Sequence, residues 1–199
     1  MFSPDCTVSL VAADAREEDL IKKTVALFEK LCSRWKPLII IYCRPYVKVV
    51  QNEIDLACIT AADRVLNIGC GAVPFTAILI ARLTGAQIVA IDRDPKAAQL
   101  AEACVRKMGL TQCIQIAHRD GSQEVERGFD VAVVALQAEP KARILSSLSR
   151  SSHRPTRVVA RVPSRMFRSQ YDTLPRSCKV VAQVPQSMKT FDRSVLISA

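Results

Sequence analysis

Residues Val65-Leu66-Asn67-Ile68-Gly69-Cys70-Gly71-Ala72-Val73-Pro74-Phe75, VLNIGCGAVPF, decide how the rest of the chain is read. Val65–Ile68 is an apolar run of strand length, and Gly69 and Gly71 let the backbone turn sharply and approach a ligand with no Cβ in the way. A helix opening at Pro74 then offers its free N–H groups to something negative. A strand, a glycine turn and a helix N-terminus in this order are the usual seat of a nucleotide. One departure narrows the choice. Pro74 stands where a dinucleotide fingerprint needs its third glycine for close helix–strand packing, which argues against NAD and for an adenosine carrying a small charged tail. S-adenosylmethionine (SAM) fits that description.

Outward from this stretch the pattern alternates. Strands are expected at Arg64–Ile68, Gln87–Ile91, Cys113–Ala117, Phe129–Ala135 and Arg157–Val162, with closing strands at Lys179–Val184 and Ser194–Ser198. Helices are expected at Pro74–Leu83, Pro95–Met108 and Pro140–Leu148, the second capped by Asp94 with Pro95 at its first position. Alternation of this kind implies a doubly wound, mostly parallel sheet with ligands at the carboxyl ends of its strands. Two helices precede it. Asp14-Ala15-Arg16-Glu17 reads as a capping box for a helix over 15–35 with Leu20, Ile21, Val25, Phe28, Leu31 and Cys32 on one face. Pro37 is expected to stop it, and a second helix to run from about Pro45 to Ile59. The division is thus a helical lid over residues 1–60 and a Rossmann-like ligand-binding domain over 61–199.

Composition limits the function. The 199 residues are 49% hydrophobic with a mean hydropathy of +0.14, enough for one sizeable core. No apolar run approaches the roughly 18–20 residues of a membrane span, and the start Met1-Phe2-Ser3-Pro4-Asp5 lacks the look of a signal peptide. The eight cysteines include no C-x-x-C pair, so a reduced, cytoplasmic chain is expected. The net charge of +9 is uneven: residues 141–199 hold 12 Lys/Arg against only Asp172 and Asp192, a net of +10, whereas residues 1–140 come to −1. Only Phe167, Tyr171 and Phe191 interleave these charges, so nucleic acid is not the expected partner; a small-molecule substrate is. His118 and His153 have no companion at ligand spacing, so no metal is expected.

Asp92 closes the second strand 21 residues after Gly71, where a carboxylate accepts both ribose hydroxyls. With Asp120-Gly121 after the third strand it completes a ligand-binding set. On the helix before the first strand, Tyr42, Tyr46, Val49 and Glu53 share one face if that helix extends back far enough. The tyrosines can offer hydroxyls to a carboxylate or ring faces to a sulfonium. Gln137, with Ala138 and Glu139, follows the fourth strand, where substrate contacts are expected. Arg161 and Arg165 at the end of the fifth can fork onto a carboxylate.

The stretches QNEIDL (51–56), VLNIGCGAVPFTAILIA (65–81), FDVAVVALQAEPKARIL (129–145) and RSVLIS (193–198) carry a resemblance. From Tyr42 onward, roughly four-fifths of the chain, the sequence resembles the nicotianamine-synthase-like branch of the class I SAM-dependent enzymes, which includes azetidine-2-carboxylate synthases. The resemblance implies a class I SAM-dependent methyltransferase fold with the two N-terminal helices over the site. It implies SAM as a substrate whose 3-amino-3-carboxypropyl arm, not its methyl, is attacked, with release of methylthioadenosine. It also implies a site made of Asn67, Gly69, Cys70, Gly71, Pro74, Asp92, Arg93, Asp120, Gly121, Leu136 and Gln137 around SAM, with Glu53, Tyr46 and Tyr42 as catalytic candidates.

In ordinary methyltransferases an acid near the position of Asn67 helps hold the ammonium group of SAM. A neutral Asn67 removes one charge that would keep that amine protonated, which matters if the amine attacks. Glu53, as a buried carboxylate with a raised pKa, is the expected base. The N-terminal segment is shorter than the domain those relatives use around their acceptors. Cyclisation of SAM's own arm to azetidine-2-carboxylate is therefore expected first. Transfer to an amino acid comes second, a true methyltransferase third, and a non-enzymatic binding module last.

Overall fold

The structure is a computed structural model that describes residues 36–123, 125, 128–151 and 156–198. The expected helix over 15–35 and His153 lie outside the described residues. Among the described residues helices α1 (Lys36–Cys43) and α2 (Val47–Ala57) come first, joined by a 3-10 turn at Arg44–Tyr46. Then follow β1 (Arg64–Ile68), α3 (Phe75–Thr84), β2 (Gln87–Asp92), α4 (Pro95–Met108), β3 (Ile114–His118), β4 (Val131–Val134), α5 (Lys141–Ser151) and β5 (Arg157–Pro163). After a 3-10 turn at Arg165–Phe167 the chain ends in the hairpin β6 (Val180–Pro185) and β7 (Phe191–Ser198). The sheet order is β3-β2-β1-β4-β5-β7-β6. β1 to β5 are parallel, and β7 runs antiparallel between β5 and β6.

Strand β4 is buried along its whole length, and β1 everywhere except Arg64. The period of two splits their side chains between two cores. Val65, Ile88, Val131, Val133 and Val159 pack with Ile39, Val50, Ile54, Ile78, Ile80 and Cys104 from α1 to α4. On the opposite face Leu66, Ile91, Ala132, Val134, Val158 and Ala160 pack with Ile144, Leu145 and Leu148 of α5. Strands covered on both faces read as continuous apolar runs, which is why β1, β4 and β5 are legible.

Several boundaries differ from expectation, and proline explains most of them. Pro37 lies in the first turn of α1, where its missing N–H costs nothing, and the helix it was expected to stop lies outside the described residues. The Pro37–Cys43 stretch is therefore helical. Pro45 falls in the 3-10 turn, so Tyr42 and Glu53 stand on two helices and not on one face of a continuous helix. Pro74 and Pro140 precede their helices instead of opening them, and the carbonyl of Pro140 accepts from the N–H groups of Arg143 and Ile144, both at 3.1 Å. β4 ends at Val134, and β7 begins three residues earlier than expected, at Phe191. No helix among the described residues is long and apolar enough to cross a membrane.

Candidate active site

The parallel strands end around a cleft of about 490 Å³. Its floor is the glycine turn. Gly69 and Gly71 sit at φ +77° and +68°, a region that side chains rarely adopt, and the N–H groups of Gly69 and Cys70 both donate to the Ile91 carbonyl at 2.9 and 3.1 Å. A Cβ on Gly69 would approach that of Ala138 to 3.1 Å, so the turn is pressed directly against the loop after β4.

Asp92 closes β2 beside this turn. One of its oxygens accepts from Gly71 N–H at 2.8 Å and the other from Asp94 N–H at 3.0 Å. Each oxygen keeps a second lone pair, and the residue lines the cleft. Asp120 lines it as well. The Ser122 N–H holds its carboxyl below the usual range, with Arg93 and Arg143 adding to the effect. Arg93 reaches across the mouth to Glu139, donating to its carbonyl at 3.2 Å and its carboxylate at 3.4 Å. Gly121 and Gln137 complete the expected residues that line the cleft.

Four expected residues lie behind that lining. Asn67, Cys70, Pro74 and Leu136 are buried and do not face the cleft. The Asn67 amide donates to the Val133 carbonyl at 3.3 Å, while its carbonyl oxygen is buried without a partner among the described residues. Leu136 instead joins Val49 and Phe191 in a buried apolar cluster with Tyr171 and Met188 against it. That cluster occupies the space over the ends of β4 and β5.

Glu53 is fully buried, and its setting corrects the expectation for both it and Arg161. The Arg161 guanidinium does not wait for a ligand carboxylate; it forks onto Glu53, with both N···O distances at 2.8 Å, and donates to Thr76 Oγ1 at 2.9 Å. Ser194 Oγ donates to Glu53 Oε1 at 2.7 Å, and Gln186 donates to Ser194 at 3.1 Å. The rings of Phe75 and Phe191 each lie 5.4 Å from the guanidinium carbon. Burial works against the Arg161 charge, but the Glu53 carboxylate more than restores it, and the pKa of Arg161 is raised. Glu53 thus has both oxygens engaged and could act as a base only after Arg161 let go. Arg165, at a surface turn, takes no part in this network.

The expected tyrosines do come together. Tyr46 stacks on Phe75 with ring centroids 3.9 Å apart, and Tyr42 lies 6.1 Å from both rings. The expected excess of positive charge is partly consumed inside the fold. Arg157 donates to the carbonyls of Ala57 and Cys58 at the end of α2 and pairs with Asp63, and Lys141 is fully buried. Spacing had a signal for these: Arg157 and Arg161 alternate with Val159 on the face of β5 toward α2, and a charge inside an apolar strand needs a buried partner. No group of three His, Cys, Asp or Glu side chains able to hold a metal occurs among the described residues.

Residues 49–135 match the family model of the methyltransferase small domain. L-histidine 2-aminobutanoyltransferase of Yersinia pestis is 29% identical over 160 residues, which cover 72% of this chain and 60% of that enzyme. Ribosomal protein L11 methyltransferase of Thermotoga petrophila is 34% identical over 97 residues, 49% of this chain and 36% of that one. The chain spans less than two thirds of either relative. Among solved structures, the SAM complex of a mutant of the nicotianamine synthase MtNAS matches with a TM-score of 0.79 at 22% identity, covering 90% of this chain and 75% of that one. The chain has the class I SAM-dependent methyltransferase fold, with a mostly parallel seven-stranded sheet.

Proposed function

We propose that the chain is an enzyme that binds SAM in the cleft and consumes its 3-amino-3-carboxypropyl arm, releasing methylthioadenosine. Asp92 accepts the ribose hydroxyls on its two remaining lone pairs. Asp120 accepts from the exocyclic amine of the adenine, and the turn at Gly69–Gly71 lies against the arm. Nucleic acid is not the partner in this reading: Lys141, Arg157 and Arg161 of the basic third are held by internal partners.

The finer reading is supported by the side chains behind the cleft lining: Val49, Leu136 and Phe191 form an apolar cluster and Glu53 is paired with Arg161, so these groups are engaged with one another rather than held out to an external acceptor. The substrate's own amine is then the nearest nucleophile. It attacks the γ-carbon; the Cγ–S bond breaks with its electron pair going to sulfur, and one ammonium proton is lost to water. The products are azetidine-2-carboxylate and methylthioadenosine. A closely held amine and carbon gain from proximity what the strained ring costs. No dedicated base is required, because an α-amino group titrates near pH 7.7–8.0. The Yersinia relative favours a second reading, transfer of the arm to an amino acid, since its name describes such a transfer to histidine.

Incubation with SAM alone tests both. Equal amounts of methylthioadenosine and azetidine-2-carboxylate are expected, at a rate that rises with pH and levels off above roughly pH 8 as the amine becomes neutral. Methylthioadenosine only on addition of an amino acid would establish the second reading. S-adenosylhomocysteine would mean that the methyl is the group transferred.

A further inference from the structure

We propose that Lys141 is a positioning residue that pins the loop after β4 against the glycine turn and so sets the shape of the ligand cleft. The proposal rests on the reading that this cleft holds SAM.

Lys141 opens α5 with its backbone and turns its side chain back under the preceding loop. It is fully buried, and its ammonium donates to the carbonyls of Leu136 at 2.7 Å and Ala138 at 3.3 Å. Its own N–H donates to Asp172 Oδ2 at 2.6 Å, so the loop after β5 caps the helix that carries the lysine. Burial pushes the Lys141 ammonium below its ordinary pKa, opposed by Asp172 and Glu139. A cation this buried is retained only with such partners. The loop needs it for a simple reason. Leu136 and Ala138 lie beyond the end of β4, where ladder partners are absent, and Pro140 has no N–H to lend. Without the ammonium, two buried carbonyls would lack a donor or drag the loop outward to water.

The loop matters because its residues meet the glycine turn, the cleft and the apolar cluster behind it. Ala138 bears on Gly69, Leu136 belongs to the apolar cluster with Val49 and Phe191, and Gln137 lines the cleft. From outside, Arg93 holds the Glu139 carbonyl. One segment is thus gripped on both sides, by an exposed arginine and a buried lysine. Lys141 does not line the cleft; it acts through the backbone it holds.

The test compares the wild type with Lys141→Met, Lys141→Arg and a remote core variant, Ile114→Ala, chosen as a control for lost stability. Two quantities are read: amide hydrogen exchange at Ala138, whose N–H donates to Ala135 O, and SAM affinity by calorimetry. Lys141→Met should speed exchange at Ala138 and weaken SAM binding, each about tenfold or more, as expected for unpaired buried carbonyls. Lys141→Arg should recover part of both, and Ile114→Ala, at an equal loss of melting temperature, should show neither change. Unchanged exchange and affinity in Lys141→Met would overturn the proposal, as would equal losses in Ile114→Ala. If the wild type itself fails to bind SAM, the functional reading falls, and with it the role in the cleft; the exchange comparison then decides whether Lys141 pins the loop.

Discussion

Over the ends of β1, β2 and β3 the chain leaves carboxylate lone pairs and glycine backbone facing a cleft, whereas over β4, β5 and β7 side chains from α2, α3, β5, β7 and the turn after β6 satisfy one another. Asp92 and Asp120 spend part of their hydrogen-bonding capacity on backbone N–H groups and keep the rest. Glu53, by contrast, accepts from Arg161 on both oxygens and from Ser194 on one, and the rings of Phe75 and Phe191 lie beside the Arg161 guanidinium. The first half is organised by backbone geometry and remains receptive. The second is organised by side chains and is already complete, so it supplies rigidity to the first. It ties α2 to the sheet through Arg161 and Arg157 and holds Phe75 beneath Tyr46.

The contrast breaks most clearly at Arg161. Arg161→Met leaves a buried carboxylate without its cation and should cost about 3–5 kcal/mol of stability, read by urea unfolding. A loss below about 1 kcal/mol, the range of surface pairs, would show that the filled half is not what holds the sheet and α2 together. Asp92→Ala should instead weaken SAM binding by about 2–4 kcal/mol, taking hydrogen bonds to a charged group at roughly 1.5–3 kcal/mol each. Calorimetry should find this while the unfolding midpoint moves less than it does in Arg161→Met; the reverse ranking would merge the two halves into one. The smallest expected effect sharpens the boundary between them. A Cβ at Gly121 would lie 2.5 Å from Ile68 Cγ2, so Gly121→Ala should cost about 1–3 kcal/mol in thermal unfolding by overpacking the cleft wall.

The open half was largely legible from the chain. Gly69, Gly71, Asp92, Asp120 and Gln137 are close in sequence to the strands that carry them, and a parallel sheet brings its strand ends to one edge whatever the details of packing. The filled half was legible only in part. Tyr42 and Tyr46 do meet, but through a 3-10 turn at Pro45 and against Phe75, a partner that helical spacing cannot point to. Glu53 was visible as a polar residue on a helix face. Its partner lies 108 positions away on β5, so both the expected base and the expected carboxylate fork were assigned without knowing that they answer each other.

By itself, then, the sequence determined the alternation of strands and helices, the glycine turn with its second-strand acid, and the class of ligand suited to them. These rest on local rules: the period of side chains, the conformations open to glycine and proline, and the reach of a residue to its near neighbours. Only the tertiary structure decided which charges are spent. Glu53 with Arg161, Lys141 with Leu136 and Ala138, and Arg157 with the end of α2 are pairings made by the docking of separate elements. A buried ion is stable only beside its counter-charge or a set of donors and acceptors, and which groups arrive there depends on how the layers pack, not on the spacing of residues along any one of them.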